Sequence, residues 1–117
     1  MSHLRYLSEA ARAALAPVLG PSERMARAVP AVGCTLVLTD QKLLLVRDGA
    51  SYRPRSGVQT WPLDKTLTLR LAPLRRTVSR LVIESADKSA SVFLTTEHVG
   101  DAQALVADIR RRIYAEP

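Results

Sequence analysis

Between Cys34 and Thr96 the chain keeps returning to a two-residue period. "CTLVLT" (Cys34–Thr39) sets Cys34, Leu36 and Leu38 against Thr35, Val37 and Thr39. "TLTLRLA" sets Leu67, Leu69 and Leu71 against Thr66, Thr68 and Arg70. "TVSRLVIES" (Thr77–Ser85) sets Leu81 and Ile83 against Arg80, Val82 and Glu84. Successive side chains of a strand point to opposite faces, so alternation of this kind belongs to strands with one buried and one wet face. "LLLVR" (Leu43–Arg47), "VQTWPL" (Val58–Leu63) and "ASVFLTT" (Ala90–Thr96) complete the set, and "RMARAVPAV" (Arg24–Val32) reads as a first strand interrupted by Pro30. Pro62 has no N–H and puts its strand at a sheet edge or a bend. Asp40, Asp48 and Asp64 read as turn residues, Asp40 able to bond its own backbone, and "PLRR" (Pro73–Arg76) and "ADKS" (Ala86–Ser89) read as further turns. About seven short strands at this spacing make an antiparallel barrel or sandwich.

A different period takes over at the two ends. In residues 3–19, Leu4, Leu7, Ala11, Ala14, Leu15 and Val18 follow i, i+3, i+4 spacing, with Arg5, Glu9 and Arg12 elsewhere. Gly20-Pro21 is a stop signal for that helix. Its polar face lacks the basic bias of a membrane-surface helix, so it is expected to pack on its own domain or on a partner. The second helix is expected to start at Asp101 as N-cap and to bury Ala102, Leu105, Val106, Ile109 and Ile113. Arg110, Arg111 and Arg112 then fall in the last turns, at the negative end of the helix dipole.

The length of 117 residues fits one domain with one modest core: an N-terminal helix over 1–20 and a domain over 21–117. Hydrophobic residues make up 47% of the chain, which excludes a disordered tail. The single cysteine, Cys34, excludes an intrachain disulfide and reads as a small buried apolar residue suited to a reducing compartment. No apolar run approaches the roughly 20 residues of a membrane span. Arg5, Glu9 and Arg12 interrupt the start too often for a secretory signal, and the initial Met favours a complete N-terminus. The expected location is the cytoplasm, with the inner face of the membrane as a peripheral alternative.

The formal net charge is +6, which favours anionic partners. Lys42 to Arg80 holds nine basic and two acidic residues, whereas Leu81 to Ile109 holds one basic and five acidic. Catalysis is not expected. His3 and His98 have no evident Cys, Ser or carboxylate partner, Gly49 and Gly57 stand alone, and no metal-ligand spacing is present. No cofactor, metal or small-molecule substrate is implied. Nucleic acid is disfavoured, because five aromatics are too few for a stacking platform and no recognition helix or zinc-finger spacing occurs.

Three stretches carry a resemblance: "LVLTDQKLLLVRDG" (Leu36–Gly49), "WPLDKTLTLRL" (Trp61–Leu71), and "LVIESADKSASVFLTT" (Leu81–Thr96) with "DAQALVADIRRRI" (Asp101–Ile113). Over about residues 22–115 this order resembles the bacterial pleckstrin-homology-like and GRAM-like domains. The resemblance implies an α+β, mainly β fold: a partly open barrel of about seven antiparallel strands closed by a C-terminal helix, here with an extra N-terminal helix. It implies a non-catalytic protein-interaction or scaffold module, with a protein partner or self-association into a homo-oligomer. It also places the loop Asp48–Ser56 at the open end, with the Ala86–Ser89 turn and Lys88 beside it.

That loop lies within "RDGASYRPRSG". Arg47, Arg53 and Arg55 are spaced R-x5-R-x-R, similar to the basic spacing with which some pleckstrin-homology domains hold phosphoinositide headgroups. Guanidinium groups grip phosphate oxygens in bidentate fashion, so Arg47, Arg53, Arg55 and Lys88 are candidates for binding anionic lipid, with Tyr52 as an interfacial aromatic. The competing reading is a solvated turn. A second basic group, Arg70, Arg75, Arg76 and Arg80, surrounds the Pro73–Arg76 turn and is the candidate for a protein-interaction surface. Leu4, Leu7 and Leu15 of the N-terminal helix, or a sheet edge near Pro62, are candidates for assembly contacts.

Overall fold

The computed structural model describes residues 17–47 and 57–115. Seven strands and one helix follow in chain order: β1 (Met25–Ala31), β2 (Cys34–Thr39), β3 (Lys42–Arg47), β4 (Gly57–Pro62), β5 (Thr68–Arg75), β6 (Val78–Glu84), β7 (Ser89–Thr95) and α1 (Thr96–Ile113). They form a four-stranded sheet in the order β1-β2-β3-β4 and a three-stranded sheet in the order β5-β6-β7. Every pairing is antiparallel, between neighbours in the sequence. Alternation and short turns produce that order directly, since antiparallel neighbours need only a hairpin.

The inner faces of the sheets and one stripe of α1 share a core. Leu36, Leu38, Leu43, Leu45 and Trp61 come from the first sheet, and Leu69, Leu81, Ile83 and Leu94 from the second. Ala102, Leu105 and Ile109 of α1 complete it. The sheets meet at one corner, where Val32 N donates to Phe93 O at 2.9 Å. At the opposite corner β4 and β5 do not pair, so the barrel stays open. Gly33 makes the tight β1–β2 turn possible: its φ of 72° lies in the left-handed region that glycine enters without cost.

The alternation has two outcomes. In the three-stranded sheet it is one-sided, with Leu69, Leu81, Ile83, Val92 and Leu94 buried and their neighbours Arg70, Arg80 and Phe93 exposed. In the four-stranded sheet β2 is buried along its whole length and β3 at its four central residues. Val37, Leu44 and Val46 form a second apolar cluster on the outer face, against Val18, Leu19, Met25 and Val58. Cys34 is buried, as its small apolar side chain leads one to expect.

Four boundaries differ from the sequence reading. Strand β5 runs on through Pro73 to Arg75, with a bulge between them, and the turn is Arg76-Thr77. Proline is tolerated because β5 is an edge strand that needs no N–H on its outer side. Helix α1 starts at Thr96, with Thr95 as an N-cap that makes no side-chain capping bond. Asp101 instead lies within the helix, 3.3 Å from His98 Nδ1. Gly100 discourages a helix reading there, at a propensity cost of about 1 kcal/mol relative to alanine, but Val99 packs on the core and carries the first turn. Thr39, not Asp40, organises the β2–β3 turn: its hydroxyl accepts from Gln41 N and Lys42 N, each at 3.0 Å. Asp40 Oδ1 takes the distant Arg24 N at 3.1 Å. Finally, 17–19 are turn and bend, so the helical pattern expected over 3–19 does not continue to its end; Pro17 suits such a break.

Candidate functional site

The described basic residues divide by what their charged groups touch. On α1, Arg111 Nη2 and Arg112 Nε donate to Asp108 Oδ1 at 2.8 and 3.0 Å, and Arg27 Nε of β1 donates to Asp108 Oδ2 at 3.0 Å. Burial opposes the charge on Asp108, but the bonds from Arg112 and Arg27 and the charges of Arg112 and Arg111 outweigh it. Its carboxyl is therefore held below the usual range. Arg110 Nη2 donates to Leu69 O at 3.1 Å, tying α1 to β5. Lys42 Nζ donates to the enclosed Glu23 carboxylate at 2.7 Å. Glu23 also resists burial: bonds from Gly20 N, Lys42 and Thr39, with the charge of Lys42, hold its carboxyl low. Lys65 Nζ lies 5.7 Å from the centre of the Tyr114 ring.

The lipid-binding candidates are engaged or lie outside the described residues. Lys88 Nζ donates to Thr60 O on β4 and sits 5.5 Å from the centre of the Trp61 ring. It covers the free edge that Pro62 marks in the sequence. Arg47 Nη2 donates to Gln59 Oε1 at 3.2 Å. The structure sets both along β4, Arg47 in register with Gly57 and Lys88 against Thr60, about 10 Å further along a strand. Arg53, Arg55 and Tyr52 of the loop, and Leu4, Leu7 and Leu15 of the N-terminal stretch, lie outside the described residues.

The second basic group has a different setting. In the β5–β6 register Arg70 pairs with Val82 and Ala72 with Arg80, so Arg70 and Arg80 are diagonal neighbours on the outer face. Arg80 in turn lies directly opposite Phe93 on β7. Arg75 ends β5 and Arg76 begins the turn at the same end of the sheet. A shallow depression of about 230 Å³ is lined by Arg70, Ala72, Pro73, Leu74, Arg80 and Val82. Leu74 is 48% exposed and Phe93 39%. Among the described residues, the guanidinium groups of Arg70, Arg75, Arg76 and Arg80 make no ion pair, hydrogen bond or ring contact. The face thus combines free guanidinium groups, an exposed aromatic and an exposed leucine, groups typical of protein contact surfaces.

Sequence reasoning located these arginines and missed their apolar neighbours. The signal for Phe93 was its phase: Val92 and Leu94 point inward, so an aromatic between them has to face out. Asp108 was missed as well, although Arg111 and Arg112 at i+3 and i+4 hint at a partner for them; the contact to Arg27 exists only in the folded chain. No three His, Cys, Asp or Glu side chains converge to hold a metal among the described residues. No helix among them is long and apolar enough to cross a membrane. The indole N–H of Trp61 is buried and has no acceptor among the described residues.

Two sheets in this topology, closed at one end by a C-terminal helix, superpose on solved bacterial structures. A pleckstrin homology domain from Shewanella amazonensis SB2B matches with a TM-score of 0.62 and 20% identity, over 83% of this chain and 92% of that one. The chain has a pleckstrin-homology-like fold. A protein of the DUF1696 family with a pleckstrin-homology domain, from Shewanella loihica PV-4, matches with a TM-score of 0.61 and 19% identity, over 81% of this chain and 88% of that one. No protein-family profile and no curated protein matches the sequence. Identity at this level carries the fold and nothing finer. In this chain the 48–56 segment joins β3 to β4, as the sequence led one to expect.

Proposed function

We propose that this pleckstrin-homology-like domain is a non-catalytic protein-interaction module whose outer β5–β6–β7 face docks an acidic surface of another protein. The observation that carries the reading is the contrast among its cations. Arg27, Arg110, Arg111, Arg112, Lys42 and Lys88 are engaged within the chain, while Arg70, Arg75, Arg76 and Arg80 are exposed and have no partner among the described residues, beside exposed Leu74 and Phe93. Arginine forks suit carboxylates in bidentate geometry, and an adjacent aromatic supplies apolar contact area. The four guanidinium groups also raise the encounter rate with an acidic partner and make binding fall with salt. A lone, buried Cys34 is consistent with a reducing compartment, and we place the protein in the cytoplasm on that ground.

A photo-crosslinking residue at Ala72, inside the arginine patch, tests this in the organism's own cells. One discrete protein adduct is expected, lost when Arg70→Glu and Arg80→Glu are combined. An adduct to a second copy of this chain would make the module a self-assembling scaffold. Absence of any protein adduct, together with co-sedimentation of the purified protein with anionic vesicles, would replace the reading with a lipid adaptor.

A further inference from the structure

The charges on the outer β5–β6–β7 face follow an order. Arg70 on β5 stands opposite Val82, Arg80 on β6 opposite Ala72, and Arg75 on β5 opposite Val78. Each of these rows is two residues from the next on β6, about 7 Å along the strand. The three arginines therefore form a zigzag ladder, with Arg76 in the turn just past its last rung. All four are exposed and have no partner among the described residues. The other end of the face is acidic: Glu84 closes β6 opposite Thr68, exposed and likewise without a partner among the described residues. From Val78 to Glu84 the strand spans about 20 Å.

Between and beside the rungs the surface is apolar. Ala72, Pro73, Leu74 and Val82 line the depression of about 230 Å³ together with Arg70 and Arg80. Phe93 lies opposite Arg80 on β7. An extended peptide laid on such a face would hold its own N–H and C=O groups over apolar side chains, where they lose hydrogen bonds. A helix satisfies its backbone internally, and a helix on a sheet face is ordinary layer packing. At about 10 Å in diameter it covers two strands set about 4.8 Å apart and reaches the third. Helix residues four apart are about 6 Å apart along the axis, near the spacing of the rungs, and flexible arginine stems make up the difference.

We propose, resting on the protein-docking reading above, that the element this face takes is an acidic amphipathic helix of another protein. It carries carboxylates at i, i+4 and i+8 over Arg70, Arg80 and Arg75, with apolar side chains at i+3 and i+7 beside them against Phe93. The 20 Å span corresponds to about thirteen residues of helix. The charge order of the face sets the direction. The negative C-terminal end of the helix lies toward Arg75 and Arg76, and its positive N-terminal end toward Glu84.

Fluorescence anisotropy of the full chain with three labelled synthetic peptides tests the proposal. The first is a stapled helix with glutamates at i, i+4 and i+8 and leucines at i+3 and i+7. The second has the same composition, no staple and a central proline. The third is stapled, with its glutamates moved to the opposite side. The first should bind roughly tenfold or more tighter than the others, and less tightly as salt rises. Arg70→Glu with Arg80→Glu should abolish that binding, and Phe93→Ala should weaken it several-fold with circular dichroism unchanged. A nitroxide at the N-terminus of the first peptide should broaden the Thr68 methyl, and one at its C-terminus the Val78 methyls; the reverse pattern would overturn the direction. Equal binding of the first and second peptides would overturn the helix and leave acidic docking in place. Binding by none of the three would also overturn it, and the Ala72 crosslink then decides separately whether the face docks a protein at all.

Discussion

Asp108 shows how one side chain can decide where a helix sits. It lies on α1 beside the apolar stripe, and it accepts from Arg27 on β1 as well as from Arg111 and Arg112 on its own helix. Removing the carboxylate leaves Arg27 and Arg112, both partly covered, without a counter-charge. Asp108→Asn is expected to lower stability by about 1–3 kcal/mol, read as a shift in the urea midpoint at unchanged slope. The pH dependence follows from the direction of the shift. A carboxyl whose pKa is lower folded than unfolded stabilises the protein above its unfolded pKa, and that stabilisation is lost as pH falls through the folded value. Asp108, and Glu23 by the same reasoning, therefore add stability at neutral pH that disappears below about pH 4. Asp108→Asn should flatten that acid limb; a variant with the wild-type acid limb would show that the three arginines do not hold the Asp108 carboxyl low in the folded chain.

At the scale of elements, the hairpins are held by a few turn positions. Gly33, with its φ of 72°, turns β1 into β2 next to the Val32–Phe93 hydrogen bond that joins the two sheets. Gly33→Ala is expected to cost about 1 kcal/mol and to speed hydrogen exchange at the Val32 amide, since turn and corner share one backbone segment. The elements were largely legible in the sequence, for a physical reason: a period of two fixes both strand identity and inward face. Leu69, Leu81, Ile83 and Leu94 fall inside as their phase requires. The misreadings lie at boundaries, where local and tertiary preferences compete. Pro73 looked like a turn and is strand because β5 is an edge, and Asp101 looked like the helix N-cap and lies inside a helix that starts at Thr96, where Val99 packs on the core.

At the scale of the molecule, charge is distributed unevenly between engaged and free cations. Among the described residues, four arginines without a partner lie along the β5–β6 hairpin, Arg75 and Arg76 at its turn, Arg80 opposite Ala72 and Arg70 further along opposite Val82, and their like charges repel. Combining Arg70→Glu with Arg80→Glu should leave the melting temperature unchanged at high salt and equal or raise it at low salt, while removing partner binding. A large fall in melting temperature would mean that these side chains hold the fold instead of serving a partner. The candidate site was only half legible in this respect. The arginines stand in the sequence for anyone to count, but whether a guanidinium is free depends on what the fold brings within reach. Lys88 and Arg110 illustrate the point: the first reads as a candidate lipid ligand and the second as a cation at the end of a helix, and each meets a backbone carbonyl more than twenty-five residues away, Thr60 O and Leu69 O. The sequence by itself determined about seven strands, one closing helix and the inward faces of β5 and β6, because those follow from local periodicity. Only the tertiary structure decided which cations remain free and which outer face is covered, because both depend on contacts between residues far apart in the chain.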